Sequence, residues 1–322
     1  MSIDDRVTHR VHRRVWSADR SPVMRRPAVY LLAAATVAVL GLNWPIMANG
    51  VDLIPPLWLA AFRMAGASIV VGAVMLPRGV GAPPREDRPI LWSVGLVRLS
   101  LVTALVFSAL AFVPPGRSSI LVYTASLWTV PIAVVFLHER LTRLRIAGLA
   151  LGSFGVALLL EPWTLDWSDA RLLAGLGMLL VAAIANAATT VHIRAHRWTG
   201  TPLQLMPWQL AIAAIPIAAT AIAVEGVPEV RWAVDTVSII AYQVFLASAF
   251  GFWGLVTVSR SLPAITTNLT LMAVPVVGLL SSVPLAGERL TVAVVASLVL
   301  ILAGVALGIA SDRRRQEPPL PA

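Results

Sequence analysis

The tetrapeptide Glu139-Arg140-Leu141-Thr142 recurs as Glu288-Arg289-Leu290-Thr291, 149 residues later in a chain of 322. At the same offset Gly155-Val156-Ala157-Leu158 matches Gly304-Val305-Ala306-Leu307. Each copy has the same order: an apolar stretch, the tetrapeptide, then a second apolar stretch carrying the Gly-Val-Ala-Leu run. Recurrence at a fixed spacing marks an internal duplication. Thr142 and Thr291 suit the N-caps of the helices that follow, so the tetrapeptide reads as a structural turn.

Outward from these turns the chain is a series of apolar stretches joined by short loops. They span 28–48, 56–77, 90–112, 118–137, 144–160, 172–192, 203–224, 237–258, 265–285 and 292–310. Most approach the ~20 residues that a helix rising 1.5 Å per residue needs to cross ~30 Å of hydrocarbon. The expected fold is an all-α integral membrane protein of ten transmembrane helices. Five spans per half is an odd number, so the second half runs upside down relative to the first. The expected divisions are a basic tail (1–27), a first five-helix repeat (28–161), a second (162–310) and a basic tail (311–322). Inverted halves of this kind are the architecture of secondary transporters.

Composition excludes the soluble classes. Hydrophobic residues make up 58% of the chain and charged ones 13%, against a usual charged share of about 25%. That is too little charge to cover a soluble surface. Cysteine is absent, which excludes disulfides, thiolate nucleophiles and cysteine metal sites. All 25 basic residues are arginine. With the N-terminal tail inside, 19 arginines fall in the tails and cytoplasmic loops and four outside, while Arg63 and Arg98 lie within spans. This bias follows the positive-inside rule, with both termini cytoplasmic. The external loops carry Glu161, Asp166, Asp169, Glu225, Glu229 and Asp235. The basic charge therefore encodes topology, and no basic groove with interleaved aromatics points to nucleic acid. The tail before residue 27 is not followed by a short apolar stretch and a small-residue cleavage site, so it reads as uncleaved.

Several segments carry a family resemblance. Gly41-Leu42-Asn43-Trp44-Pro45 lies in the first span, Ala61-Phe62-Arg63 opens the second, and Pro275 precedes Gly287-Glu288-Arg289-Leu290. Over residues 28–310 the chain resembles the drug/metabolite transporter superfamily, EamA type. The resemblance implies ten helices in two five-helix repeats and the export of amino acids, other small metabolites or drugs. The first half departs from the pattern. His138 stands where Gly287 stands, and Pro131 precedes its glutamate by eight residues where Pro275 precedes its own by thirteen.

Polar groups in hydrocarbon are costly and mark function or helix contacts. Asn43, Asn186, Gln209, Gln243 and Asn268 lie within spans. Asn43 and Asn186 hold comparable places in the two halves, where a midplane substrate site is expected. They and Asn268 are candidates to orient a polar group of the substrate. Trp44, Tyr123, Trp128 and Trp253 are candidate apolar walls. Arg98, deep in the third span, is a candidate pathway cation. Arg63, in the outer third of its span, has two readings: a cation facing the pathway, suited to a carboxylate, or, the favoured one, a snorkelling or interhelical arginine that bonds backbone carbonyls. Pro45, Pro131 and Pro275 are candidate hinges, because proline frees a carbonyl and bends a helix. No carboxylate lies deep in a span, which weakens proton coupling. No phosphate loop, His-Glu-x-x-His or Cys/His pair is present, so no enzyme, cofactor or metal is expected.

The expected function is a secondary transporter exporting small amino acid-like or drug-like metabolites by alternating access. Its partners are a small-molecule substrate and the bilayer, with monomer and homodimer both open. The arginine-only, Ala/Val/Leu-rich composition suggests a bacterial inner membrane. The competing reading is a non-transporting polytopic assembly partner.

Overall fold

The structure is a computed structural model. It describes residues 26–75, 81–138, 142–161, 163, 166–262 and 264–316. Glu139–Leu141 of the first tetrapeptide, the arginines before residue 26 and the side chain of Asn268 lie outside the described residues.

Apolar sequence becomes helix in ten segments, because in lipid every backbone polar group must be satisfied within the segment itself. We number them α1 (Arg26–Val51), α2 (Pro56–Met75), α3 (Arg85–Ala109), α4 (Pro115–Tyr123 and Ala125–Leu137) and α5 (Arg143–Leu160). Then follow α6 (Ala170–Ala195), α7 (Pro202–Glu225), α8 (Val234–Ser259) and α9 (Ala264–Leu271 and Ala273–Ala286). The last is α10 (Val292–Gln316). Among the described residues nine helices are long and apolar enough to cross a membrane, and α9 is shorter because it breaks at Met272. The protein is an all-α integral membrane protein. Ile69, Phe136, Phe154 and Ile215 are exposed on helix surfaces, which costs nothing where the solvent is lipid.

Helix ends follow sequence signals. Thr142 Oγ1 accepts from the N–H of Arg145, and Thr291 Oγ1 from that of Val294, both at 3.2 Å. Asp169 caps α6. Thr201 and Gln204 form a reciprocal capping box at α7, with Pro202 in its first turn. His138 and Gly287 both close their helices in the left-handed region, at φ 55° and 64°. Their N–H groups bond back to Ala133 and Ser282. The histidine therefore makes the same turn as the glycine, at the steric cost that glycine avoids.

The halves pack as counterparts. Helix α1 lies on α9 and α8, and α6 lies on α4 and α3. Helix α2 meets α8, as α7 meets α3, while α2–α7, α4–α9 and α5–α10 pair each helix with its own counterpart. The α5–α10 pair is the tightest. A Cβ on Gly148 would fall 2.5 Å from the Gly304 carbonyl oxygen, and one on Gly304 would fall 2.5 Å from that of Gly148. Only glycine permits this approach.

Helices α3 and α8 each contain nine π-helical residues, Ser93–Leu101 and Tyr242–Phe250. The two runs are 149 residues apart, the offset of the tetrapeptides. The bonds from the N–H of Val102 to Val97 and of Gly251 to Leu246 are i to i−5. Such widened turns sit disproportionately at functional sites. The breaks in α4 and α9 fall at Thr124 and Met272. Pro131 lies seven residues beyond the break, inside unbroken helix, and Pro45 lies inside the unbroken α1. Pro275 follows its break by three residues.

Candidate functional site

A polar cluster in the helix interior joins α1, α2, α3 and α8. Arg63 stands seven residues into α2, roughly 10 Å from its start at 1.5 Å per residue. Its Nε–H donates to Ser248 Oγ at 2.9 Å, on the π-helical run of α8. Its Nη1 donates to Met47 Sδ at 3.4 Å, on α1. Its guanidinium carbon lies 5.8 Å from the Phe107 ring centroid of α3, within cation–π range. Asn43 Nδ2 donates to the same Met47 sulfur at 3.2 Å, and Asn43 Oδ1 is buried without a partner. Gln243, one π turn before Ser248, is fully buried with neither amide atom bonded. Arg63 is interhelical, as one sequence reading had it. Its partners are side chains, however, and not backbone carbonyls.

The other candidates are distributed. Trp44 is buried where α1 meets α4 and α9, beside Gly278 and Ser119. Asn186 on α6 has an unpartnered buried Oδ1. Trp128 packs against the alanine cluster Ala125, Ala183 and Ala187, and its indole N–H is also buried and unpartnered. Arg98 and Tyr123 are electrostatic neighbours across α3 and α4. Trp253 sits 5.9 Å from Phe250, centroid to centroid. It walls a crevice of about 240 Å³ between α2, α7 and α8. That crevice runs from Met75 and Leu203 inward to Val70 and Ala249, and Ala249 adjoins Ser248. The structure thus brings Asn43 into the Arg63 cluster and sets Trp253 on a crevice between α2, α7 and α8. Asn186, Trp128, Arg98 and Tyr123 lie on the α3–α4–α6 side.

Both ends of the bundle are tied across the halves. At the end where α4 begins, Glu288 accepts from the N–H of Gly116 at 2.6 Å and of Arg117 at 3.2 Å. A Cβ on Gly116 would collide with that carboxylate. Burial pushes the Glu288 carboxyl above the usual carboxylate range, while the two N–H groups and the Arg117 charge pull it back. Arg117 pairs with Glu161 at 2.6 Å, and Glu225 accepts from the N–H groups of Leu57 and Trp58. At the opposite end the fully buried Asp87 meets His196 Nε2 at 2.8 Å and accepts from the N–H groups of Thr199 and Gly200. His192 Nδ1 lies 2.8 Å from Ser93 Oγ, at a helix contact as its position at a span end suggests. Asp87 reads in the sequence as one more loop acid. Nothing local signals its burial.

Comparison with known proteins bears directly on this arrangement. Residues 27–161, covering α1 to α5, match the EamA-like transporter family. The chain is 28% identical to a probable amino-acid metabolite efflux pump of Salmonella typhimurium over 88% of its own length and 96% of the relative's. The chain is a transporter with an EamA-like segment at residues 27–161. The chain is also 28% identical to a probable terminal-alkyne amino-acid exporter of Streptantibioticus cattleyicolor, over 85% of the chain and 89% of the relative. Its fold matches a protein solved by crystallography at a TM-score of 0.63 and 21% identity, covering 91% of this chain and all of that one. The family match and the relatives' names mark a transporter and not an enzyme, one that works in a lipid environment on a small molecule.

Proposed function

We propose that this EamA-type transporter exports small amino acid-like or drug-like metabolites by alternating access. The two halves, 28–161 and 162–310, rock about a central site, with both termini on the cytoplasmic side of a bacterial inner membrane. Asn43, Asn186 and Asn268 orient a polar group of the cargo. Trp44, Tyr123, Trp128 and Trp253 pack its apolar part, and Arg98 supplies charge on the α3–α4 side. Pro45, Pro131 and Pro275 are the candidate hinges.

One observation carries the reading. Asn43 and Asn186 hold comparable places in α1 and α6, and each buries an amide oxygen with no partner. An unpaired buried acceptor costs on the order of 1–3 kcal/mol. Its presence in both α1 and α6 suits groups kept free for a ligand. The names of two relatives, an amino-acid metabolite efflux pump and an amino-acid exporter, support the cargo class. The test is transport by Asn43→Ala and Asn186→Ala in proteoliposomes. Each is expected to lose roughly tenfold or more, the equivalent of one or two hydrogen bonds, with expression and oligomeric profile unchanged. Full transport by both variants contradicts the proposal.

A further inference from the structure

We propose that Arg63 is the carboxylate anchor of the transport site and that it selects cargo bearing a free carboxylate. The inference rests on the amino-acid cargo reading above and names the group that recognises it.

Three observations converge on Arg63. First, among the described residues no carboxylate pairs with it. A guanidinium inside a membrane bundle needs a counter-charge or a full set of acceptors. Arg63 has one hydroxyl, one thioether and one aromatic face. Thioether sulfur is a weak acceptor, so the Nη edge is held by the poorest partner in the cluster. Second, the geometry suits exchange. Ser248 fixes Nε–H at 2.9 Å, which orients the guanidinium plane. The Nη1/Nη2 edge then remains for a carboxylate to take end-on, displacing the Met47 sulfur. Two parallel charge-assisted bonds are the geometry that arginine offers carboxylates. Third, the surroundings match the other end of an amino acid. Asn43 donates to the same sulfur and leaves its Oδ1 buried and free. Gln243, on the π-helical run that carries Ser248, is fully buried with both amide atoms unbonded. Amide oxygens there accept from an ammonium while Arg63 holds the carboxylate. The crevice between α2, α7 and α8 is lined by Val70, two helical turns along α2 from Arg63, and by Ala249.

The test compares acids with their amides. The full-length protein is reconstituted in liposomes loaded with L-leucine, L-threonine and L-phenylalanine, or with the three corresponding carboxamides. Efflux is read for the unmodified protein and for Arg63→Lys, Arg63→Gln and Ser248→Ala. The unmodified protein is expected to move at least one acid about tenfold faster than its amide, the discrimination expected of one bidentate charge-assisted pair. Arg63→Gln is expected to abolish that preference. Arg63→Lys retains part of it, having charge without the planar fork, and Ser248→Ala lowers it without removing it. Size-exclusion profiles establish that each variant is folded, and Ser248→Ala keeps the test open if Arg63→Gln does not assemble. Amides that move as fast as acids overturn the proposal while leaving an amino-acid exporter in place. So does an Arg63→Gln variant that slows acids and amides equally, which is the mark of a structural arginine. If no acid or amide moves above empty liposomes, the cargo reading itself fails and the anchor fails with it.

Discussion

Where α2 crosses α8, Gly66 makes room for Val244; where α7 crosses α3, Gly95 makes room for Ile212. Gly66 and Ile212 each stand ten residues after the proline that opens their helix, Pro56 and Pro202. Gly95 and Val244 each lie in the π-helical run, 149 residues apart. The two crossings are therefore built in one register. In that register Gln209 stands opposite Arg63, and Leu99 opposite Ser248. One crossing carries a guanidinium bonded to a hydroxyl. The other carries a neutral amide and a buried leucine. The backbone geometry recurs at both crossings, and the bonded guanidinium sits at one of them.

The largest expected effect tests the shared geometry. Gly66→Leu and Gly95→Leu each force a side chain where a Cβ alone would come within 2.6 Å and 2.8 Å of a neighbour. Overpacking of this kind costs about 1–3 kcal/mol. Both variants should lower the thermal midpoint of the purified protein by similar amounts. A large effect from one and none from the other breaks the equivalence of the crossings. The next contrast swaps the chemistry. Ser248→Leu copies the α3 crossing into α8 and strips Arg63 of its Nε acceptor. Amino-acid efflux should fall by roughly tenfold, as for a lost hydrogen bond to a charged group. Leu99→Ser, the reverse swap, should leave efflux within about twofold, since no bonded charge faces it. Equal losses would mean that the two crossings contribute alike.

Two smaller effects concern the turns after α4 and α9. Gly287→Ala places a Cβ in the left-handed region and should cost about 1 kcal/mol, seen as a lower midpoint. His138→Gly removes that strain from the other turn and should be neutral to slightly stabilising, because glycine's backbone entropy offsets the gain. The smallest effect is on pH dependence at Glu288. Its carboxyl is raised by burial, so folding favours the protonated form. The stability it contributes is present below the ordinary carboxyl value of about 4.3 and is lost as pH rises through the raised value. Glu288→Gln should flatten the fall in thermal midpoint over that acidic window. A variant that follows the unmodified protein throughout would show that Glu288 does not report its burial.

Much of the fold is legible in the sequence, because hydrophobic length and loop composition act locally. All ten apolar stretches become helices whose ends differ from the expected ones by a few residues, and the threonine caps of the two turns form as expected. The π-helical runs are not legible. Their side-chain pattern differs too little from an α-helix over nine residues to be read, and only the backbone reveals the widened turn. The candidate site divides along the same line. Asn43 stands out as an amide in hydrocarbon, a property of one residue. The place of Arg63 depends on Met47, Phe107 and Ser248 from three other helices, and no local pattern brings those together. Asp87 is similar, since its burial is created by the loop after α6.

The central claim is export of amino acid-like metabolites through a site that uses the asparagines of α1 and α6. Its most direct test is a mixed metabolite pool sealed in proteoliposomes, with loss of each compound followed by mass spectrometry. Vesicles with the unmodified protein should lose a defined subset of amino acid-like compounds. Vesicles with the Asn43→Ala/Asn186→Ala double variant, and protein-free vesicles, should retain them. Identical retention in all three, from protein shown to be folded and inserted, would contradict the claim.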